Sequence, residues 1–232
     1  MSVFNILFLV FCALFITSAS LEISGYYKKI SLMEYIAKPC MYIFLLAASL
    51  MILIPSLPDS ADIIFFLTFA IVCGLAGACL QFLPKRKKTV IVSSLLFITS
   101  FLCYIRLIQP SFRLFTIPVW ASVSIFLIYL ILLLLYYNYV IGKRNLLKTA
   151  GIALFMIPLM LLHYGTILTL FGQFRLYSIM LFLGSTIFIL SQALIVKGFF
   201  IKASEKDRLI RMILYIAGTF FITGGYTLMV SL

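Results

Sequence analysis

Acidic residues are scarce in this sequence: six Asp and Glu stand against 18 Lys and Arg, and all charged residues together make up 10% of the 232. A water-soluble domain carries about a quarter charged residues and roughly half apolar ones. Here 65% are apolar, with 23 Phe and 13 Tyr, and the mean hydropathy is +1.23. One buried core cannot absorb that much apolar surface, so most of it must face lipid. A secreted disulfide scaffold, a disordered tail and an aqueous enzyme are thereby excluded. Histidine occurs once, and the five cysteines, Cys12, Cys40, Cys73, Cys79 and Cys103, sit inside apolar runs with no CxxC or Cys/His spacing. Metal and redox centres need clustered thiolates or imidazoles, so no metal and no cofactor is expected, and the cysteines read as small apolar residues.

Signature loops of soluble enzymes are missing too: there is no Gly-rich phosphate loop, HExxH, GxSxG or paired-carboxylate pattern. The six acids, Glu22, Glu34, Asp59, Asp62, Glu205 and Asp207, read as loop or span-edge residues. A proton pump or cation carrier normally holds an acid at depth, so that class is weakened. A small-solute transporter remains an alternative, although neither a convincing internal repeat nor a deep ionisable group marks one.

What is present is a series of long apolar runs. A hydrocarbon core about 30 Å thick needs about 20 apolar residues per helix. Cutting the chain where charge, Pro or Gly interrupts such runs gives eight spans, near 4–20, 36–54, 61–83, 89–108, 117–140, 149–170, 177–197 and 210–231. The connections leave no room for a soluble domain, and the runs are too long and too uniform for barrel strands. The expectation is an all-α polytopic integral membrane protein, a bundle of about eight transmembrane helices forming one domain over 1–232.

Cations are retained on the cytoplasmic side of membranes. The first, third, fifth and seventh connections, with adjacent helix ends, carry fifteen of the 18: Lys28, Lys29, Lys38, Lys85, Arg86, Lys87, Lys88, Lys143, Arg144, Lys148, Lys197, Lys202, Lys206, Arg208 and Arg211. Only Arg106, Arg113 and Arg175 fall opposite, which places both termini outside the cytoplasm. The net charge of +12 then needs no anionic partner beyond lipid headgroups, and nucleic acid is not expected. The N-terminal run, ending in Thr17-Ser18-Ala19-Ser20, resembles a cleaved signal, but its start has no Lys or Arg, and cleavage would put Lys28 and Lys29 on the wrong side. It reads as a helix. Compactness and the lack of a targeting segment point to a bacterial inner (plasma) membrane; no feature bears on oligomeric state.

Polar side chains inside spans are the natural places to seek function. Lys38 with Pro39, Gln81, Ser191 with Gln192, and Tyr215 approach the cytoplasmic ends of four helices at similar depth. A cavity open to that leaflet would gather such groups, and so would ordinary interhelical hydrogen bonding. Lys38 can also be read as a snorkelling residue and Pro39 as a first-turn proline. His163 lies past the midpoint of the sixth span and reads as a hydrogen-bonded core residue. Gly74, Ala76, Gly77 and Ala78 in the third span, and Ala217, Gly218, Gly224 and Gly225 in the eighth, imply close helix approach. Trp120, Tyr136, Tyr137 and Tyr139 read as an interfacial belt.

Taken in order, these polar positions resemble the YhhN-like lysoplasmalogenases. Lys38-Pro39 looks like the family's KP motif. Gly77-Ala78-Cys79-Leu80, followed by Leu83-Pro84 and basic residues, is similar to its glycine-aspartate motif. Ser100-Phe101-Leu102-Cys103-Tyr104 resembles its histidine-containing stretch, Phe188-Ile189-Leu190-Ser191-Gln192 its Ser-Asp segment, and Tyr215-Ile216-Ala217-Gly218 its tyrosine motif. The resemblance runs from the second helix to the eighth. It implies an integral-membrane hydrolase that cleaves the vinyl ether of lysoplasmalogens, with membrane lipids and lysophospholipid as partners. Its substrate-binding residues would be Lys38, Gln81, Tyr104, Ser191, Gln192 and Tyr215.

The sequence departs from that pattern where proton transfer would occur. Ala78, Phe101 and Gln192 stand where the family has its motif Asp, His and second Asp. Ala and Phe transfer no proton, and Gln is a poor acid or base. With no acid read inside the membrane, two readings follow: a divergent lysoplasmalogenase-like enzyme, or a lipid-binding or lipid-sensing protein that keeps the fold and has lost hydrolysis.

Overall fold

The computed structural model describes residues 3–56, 61–80, 87–112, 119–136, 146–200 and 204–231. Among them eight α-helices follow one another without a strand: α1 (Val3–Lys28), α2 (Ser31–Leu53), α3 (Ala61–Leu80), α4 (Lys87–Phe112), α5 (Val119–Tyr136), α6 (Leu146–Gly172), α7 (Leu176–Phe200) and α8 (Glu205–Ser231), with a 3-10 turn, Ile54–Ser56, after α2. Seven are long and apolar enough to cross a membrane, and in α5 the described apolar run is Val123–Leu132. The chain is an all-α, polytopic membrane protein.

Three ends differ most from those expected. The first helix continues past residue 20 to Lys28, the second begins at Ser31 rather than near 36, and the last begins at Glu205 rather than near 210. Charge ends a count of apolar residues but does not end a helix, because Glu, Lys and Arg are good helix formers. What stops α1 is a change of backbone hand. Lys29 has φ 56, its N–H reaches the Tyr26 carbonyl at 3.2 Å, and the Ile30 N–H reaches the Gly25 carbonyl at 2.9 Å. That is the Schellman pattern, here with Lys in the left-handed position that glycine usually takes.

The helices pack as antiparallel neighbours: α1 on α2, α3 on α4, α7 on α8, with α2 and α3 also meeting α8, and α6 bridging α4 and α7. The centre is filled by Met41, Leu67, Ile71, Ile108, Leu159, Leu162, Leu181 and Tyr226, while Phe65, Trp120, Phe126 and Ile131 point outward. Apolar side chains on the outside as well as in the centre are expected where lipid is the outer solvent. Without a hydrophobic drive between helices, small residues set their approach. A Cβ at Gly184 would lie 2.6 Å from the Ile222 amide nitrogen, so the α7–α8 contact requires glycine there, and one at Gly218 would press on the Phe188 backbone at 3.0 Å. Between α3 and α4, the Ser93 hydroxyl donates to the Gly77 carbonyl at 2.8 Å and the Ser100 hydroxyl to that of Ala70 at 2.7 Å.

One end of the bundle gathers the close of α1, the start of α2, the close of α7 and the start of α8. The Tyr26 hydroxyl donates to the Glu205 carbonyl at 2.9 Å, and Lys197 pairs with Asp207 at 3.5 Å. Lys28, Lys29, Lys206, Arg208 and Arg211 lie here as well, so it is the basic end.

Candidate functional site

The buried face of α1 reads Phe15, Ser18, Ala19, Glu22, Gly25. That three-and-four spacing is one stripe of a helix. Ser, Ala and Gly let α2 come close, and Glu22 is carried inward with them. The residue is 3% exposed. Glu22 is therefore no loop residue: it stands buried within α1, because that helix does not end where its apolar run does.

Its partner is Lys38. Lys38 Nζ lies 3.9 Å from Glu22 Oε1, and the two side chains are 14% and 4% exposed. The same ammonium sits 5.2 Å from the centroid of the Tyr215 ring, in the geometry of a cation–π contact. The snorkelling reading of Lys38 gives way to an inward one. Nor is Pro39 in a first turn, since α2 begins at Ser31 and Pro39 lies within it. Proline has no N–H, so the helical bond to the carbonyl four residues back is missing beside Lys38. The second carboxylate oxygen, Glu22 Oε2, is buried with no hydrogen-bond partner among the described residues.

Tyr215 connects this pair to the centre of the bundle. Its hydroxyl is hydrogen-bonded to that of Tyr42 on α2, and the Thr219 hydroxyl one turn on donates to the Tyr215 carbonyl at 2.8 Å. Beyond Tyr42 is a void of about 20 Å³, bordered among others by Ser100, Phe101, Tyr104 and Thr219. It has room for one water. Tyr104, on its far side, is hydrogen-bonded to Thr223 at 3.1 Å, accepts the Tyr226 hydroxyl on its carbonyl at 2.7 Å and stacks on the Tyr226 ring.

Of the residues singled out in the sequence, Lys38 and Tyr215 meet directly, and Tyr104 lies across the void from Tyr42. Ser191 donates to the Arg211 carbonyl at 3.0 Å, which ties α7 to α8. Gln192 is buried at 3% exposure. Gln81 lies outside the described residues. Phe101 packs its ring against Phe97, Phe155 and Phe188, and Ala78 is fully buried, so two of the three motif departures lie in the apolar core. Sequence reasoning missed Glu22 and Tyr42. The stripe from Phe15 to Gly25 was the available signal for the first; the second is hidden because tyrosine counts as one more aromatic in an apolar run.

A separate polar group lies between α6 and α7. His163 Nδ1 and Ser185 Oγ are 2.7 Å apart, and Thr166 Oγ1 is 2.8 Å from the same serine and donates to the His163 carbonyl at 2.8 Å. His163 is thus a hydrogen-bonded core residue, as the sequence suggests.

A second space opens between α1 and α2. It is an apolar groove of about 430 Å³, lined by Leu14, Ser18, Leu21, Met33, Ala37 and Cys40 among others. Ser18 precedes Glu22 by one turn on the same face, and Ala37 adjoins Lys38. Neither Glu22 nor Lys38 lines the groove, but each adjoins a residue that does, Ser18 and Ala37, so the pair lies one residue layer behind a chain-sized apolar space.

Comparison with known proteins gives the family that the sequence resembles. The model of the YhhN family matches residues 33–226, from the start of α2 to Tyr226 on α8, and so leaves Glu22 outside the match. No match is found among curated proteins or among solved structures.

Proposed function

Because the chain belongs to the YhhN family, we propose that it acts on a lysoplasmalogen or a related ether lysophospholipid, hydrolysing the vinyl ether from a site facing the cytoplasmic leaflet of a bacterial inner membrane, with both termini on the opposite side. The observation that supports this most is the buried pair of Glu22 and Lys38 under Tyr215 at the basic end. Desolvated charges are costly, and a membrane protein keeps them where they serve a substrate. Lys38, Tyr104, Ser191, Gln192 and Tyr215, with Gln81, are the proposed substrate-binding residues. The apolar groove between α1 and α2 suits a single hydrocarbon chain, which favours a lysolipid over a two-chain lipid.

A second reading is favoured by Ala78, Phe101 and Gln192, which supply no proton where the family resemblance places Asp, His and Asp. On that reading the protein binds or senses the lysolipid without cleaving it. One experiment separates the two: release of fatty aldehyde from lysoplasmenylethanolamine by purified protein in detergent, with Gln192→Ala as a control. Release that falls in the variant supports hydrolysis at this site. No release, with the lysolipid still raising the melting temperature, supports binding alone.

A further inference from the structure

Vinyl-ether hydrolysis begins with protonation of carbon, which a water molecule at neutral pH does poorly and a positioned acid does well. Of the six acids in the chain, Glu34, Asp62, Glu205 and Asp207 lie near helix starts and are not buried, and Asp59 is outside the described residues. Glu22 alone among the described acids is buried within a spanning helix. It also has what such an acid needs: one oxygen, Oε1, faces a cation at 3.9 Å, and the other, Oε2, has no hydrogen-bond partner among the described residues.

On the basis of the hydrolytic reading above, we infer that Glu22, on a helix outside the family match, is the proton-transfer group of this protein and replaces the acids absent at Ala78 and Gln192. The alkenyl chain lies in the α1–α2 groove, which brings its vinyl ether to the level of Glu22 and Lys38. Glu22, ionised beside Lys38 in the resting protein, takes up a solvent proton to enter the cycle; the carboxyl then gives that proton to C2 of the alkenyl group, forming the C–H bond and leaving an oxocarbenium ion at C1. The carboxylate so formed is held by the Lys38 ammonium. Water adds to C1 and returns a proton to Glu22. The hemiacetal then breaks its bond from C1 to the glycerol oxygen; its hydroxyl proton passes to that oxygen, releasing aldehyde and a glycerophospho-base. One water is consumed and the carboxyl is regenerated, so no oxidant or cofactor is required.

The test compares wild type, E22Q and E22D for aldehyde release from lysoplasmenylethanolamine, with the rise in melting temperature on adding the lysolipid as the measure of binding. The expected result is a fall in kcat of roughly 100-fold or more in E22Q, with binding retained, and partial activity in E22D. E22Q within threefold of wild type would overturn the role of Glu22 and leave the hydrolase reading standing. A wild type that binds the lysolipid and releases no aldehyde would overturn both. If E22Q fails to fold because the Lys38 ammonium loses its counter-charge, K38M is compared with E22Q/K38M: a further loss in the double variant supports the assignment, and equal rates overturn it.

Discussion

The hydroxyls of Tyr42 on α2 and Tyr215 on α8 are hydrogen-bonded to each other, and both side chains are buried. This contact joins the Glu22–Lys38 pair to the polar column formed by Thr219, Tyr104 and Thr223. Two residues far apart in sequence thereby set the spacing of two helices that both border the candidate site.

Y42F and Y215F should each lower the melting temperature, because the remaining hydroxyl is left buried without its partner, at a cost of about 1–3 kcal/mol. The double variant Y42F/Y215F should lose less than the sum of the two. Tyr129 gives the contrast: its hydroxyl is buried with no hydrogen-bond partner among the described residues, so Y129F should leave stability unchanged or raise it. Thermal unfolding of the four variants in one detergent checks the ordering.

Helix approach between α7 and α8 makes a second set of expectations. At Gly184 an added methyl meets backbone at 2.6 Å, whereas at Gly224 its nearest neighbour is the flexible end of Met180 at 3.0 Å. G184A should therefore cost about 1–3 kcal/mol by forcing the helices apart, and G224A much less. Equal losses in the two would show that the crossing is not set by Gly184.

The eight helices were legible because an apolar run of bilayer length has few alternatives in a chain this poor in charge. Helix ends were not, since hydropathy stops at the first charge while the backbone ladder continues through Glu22 to Lys28. The site was legible in part for the same reason. Lys38 and Tyr215 were visible as polar or motif residues in spans; Glu22 was set aside as an edge residue, and Tyr42 offered no contrast to its apolar neighbours. Polar residues announce themselves singly, whereas their pairing depends on which helix faces which.

Lys29 occupies a left-handed backbone conformation, φ 56, at the α1–α2 turn. Its ion pair with Glu205 spans 3.9 Å between side chains more than four-fifths exposed, so losing it should matter little. K29G relieves the backbone and should stabilise by about 0.5–1 kcal/mol. K29A, which removes the same ion pair and keeps the Cβ, should bring no such gain in melting temperature.

The hydrogen-bonded group of His163, Ser185 and Thr166 lies on α6 and α7, among residues the proposed site does not use. S185A removes its bonds to His163 and Thr166 and should lower the melting temperature by an amount consistent with about 1–3 kcal/mol. Aldehyde release and lysolipid binding, corrected for folded protein, should match wild type. A selective loss of either would place His163 in the function.

The buried pair itself predicts strong non-additivity. Removing one partner of a buried ion pair leaves an uncompensated charge, which costs about 3–5 kcal/mol, while replacing both with apolar or neutral groups of similar size is often close to neutral. E22Q and K38M should each destabilise the protein substantially, and E22Q/K38M should be more stable than either single variant. The 3.9 Å separation and the near-complete burial of Glu22 carry that expectation. If the two losses simply add, the side chains do not share a charge in the folded protein, and the ammonium is not what holds the Glu22 carboxylate.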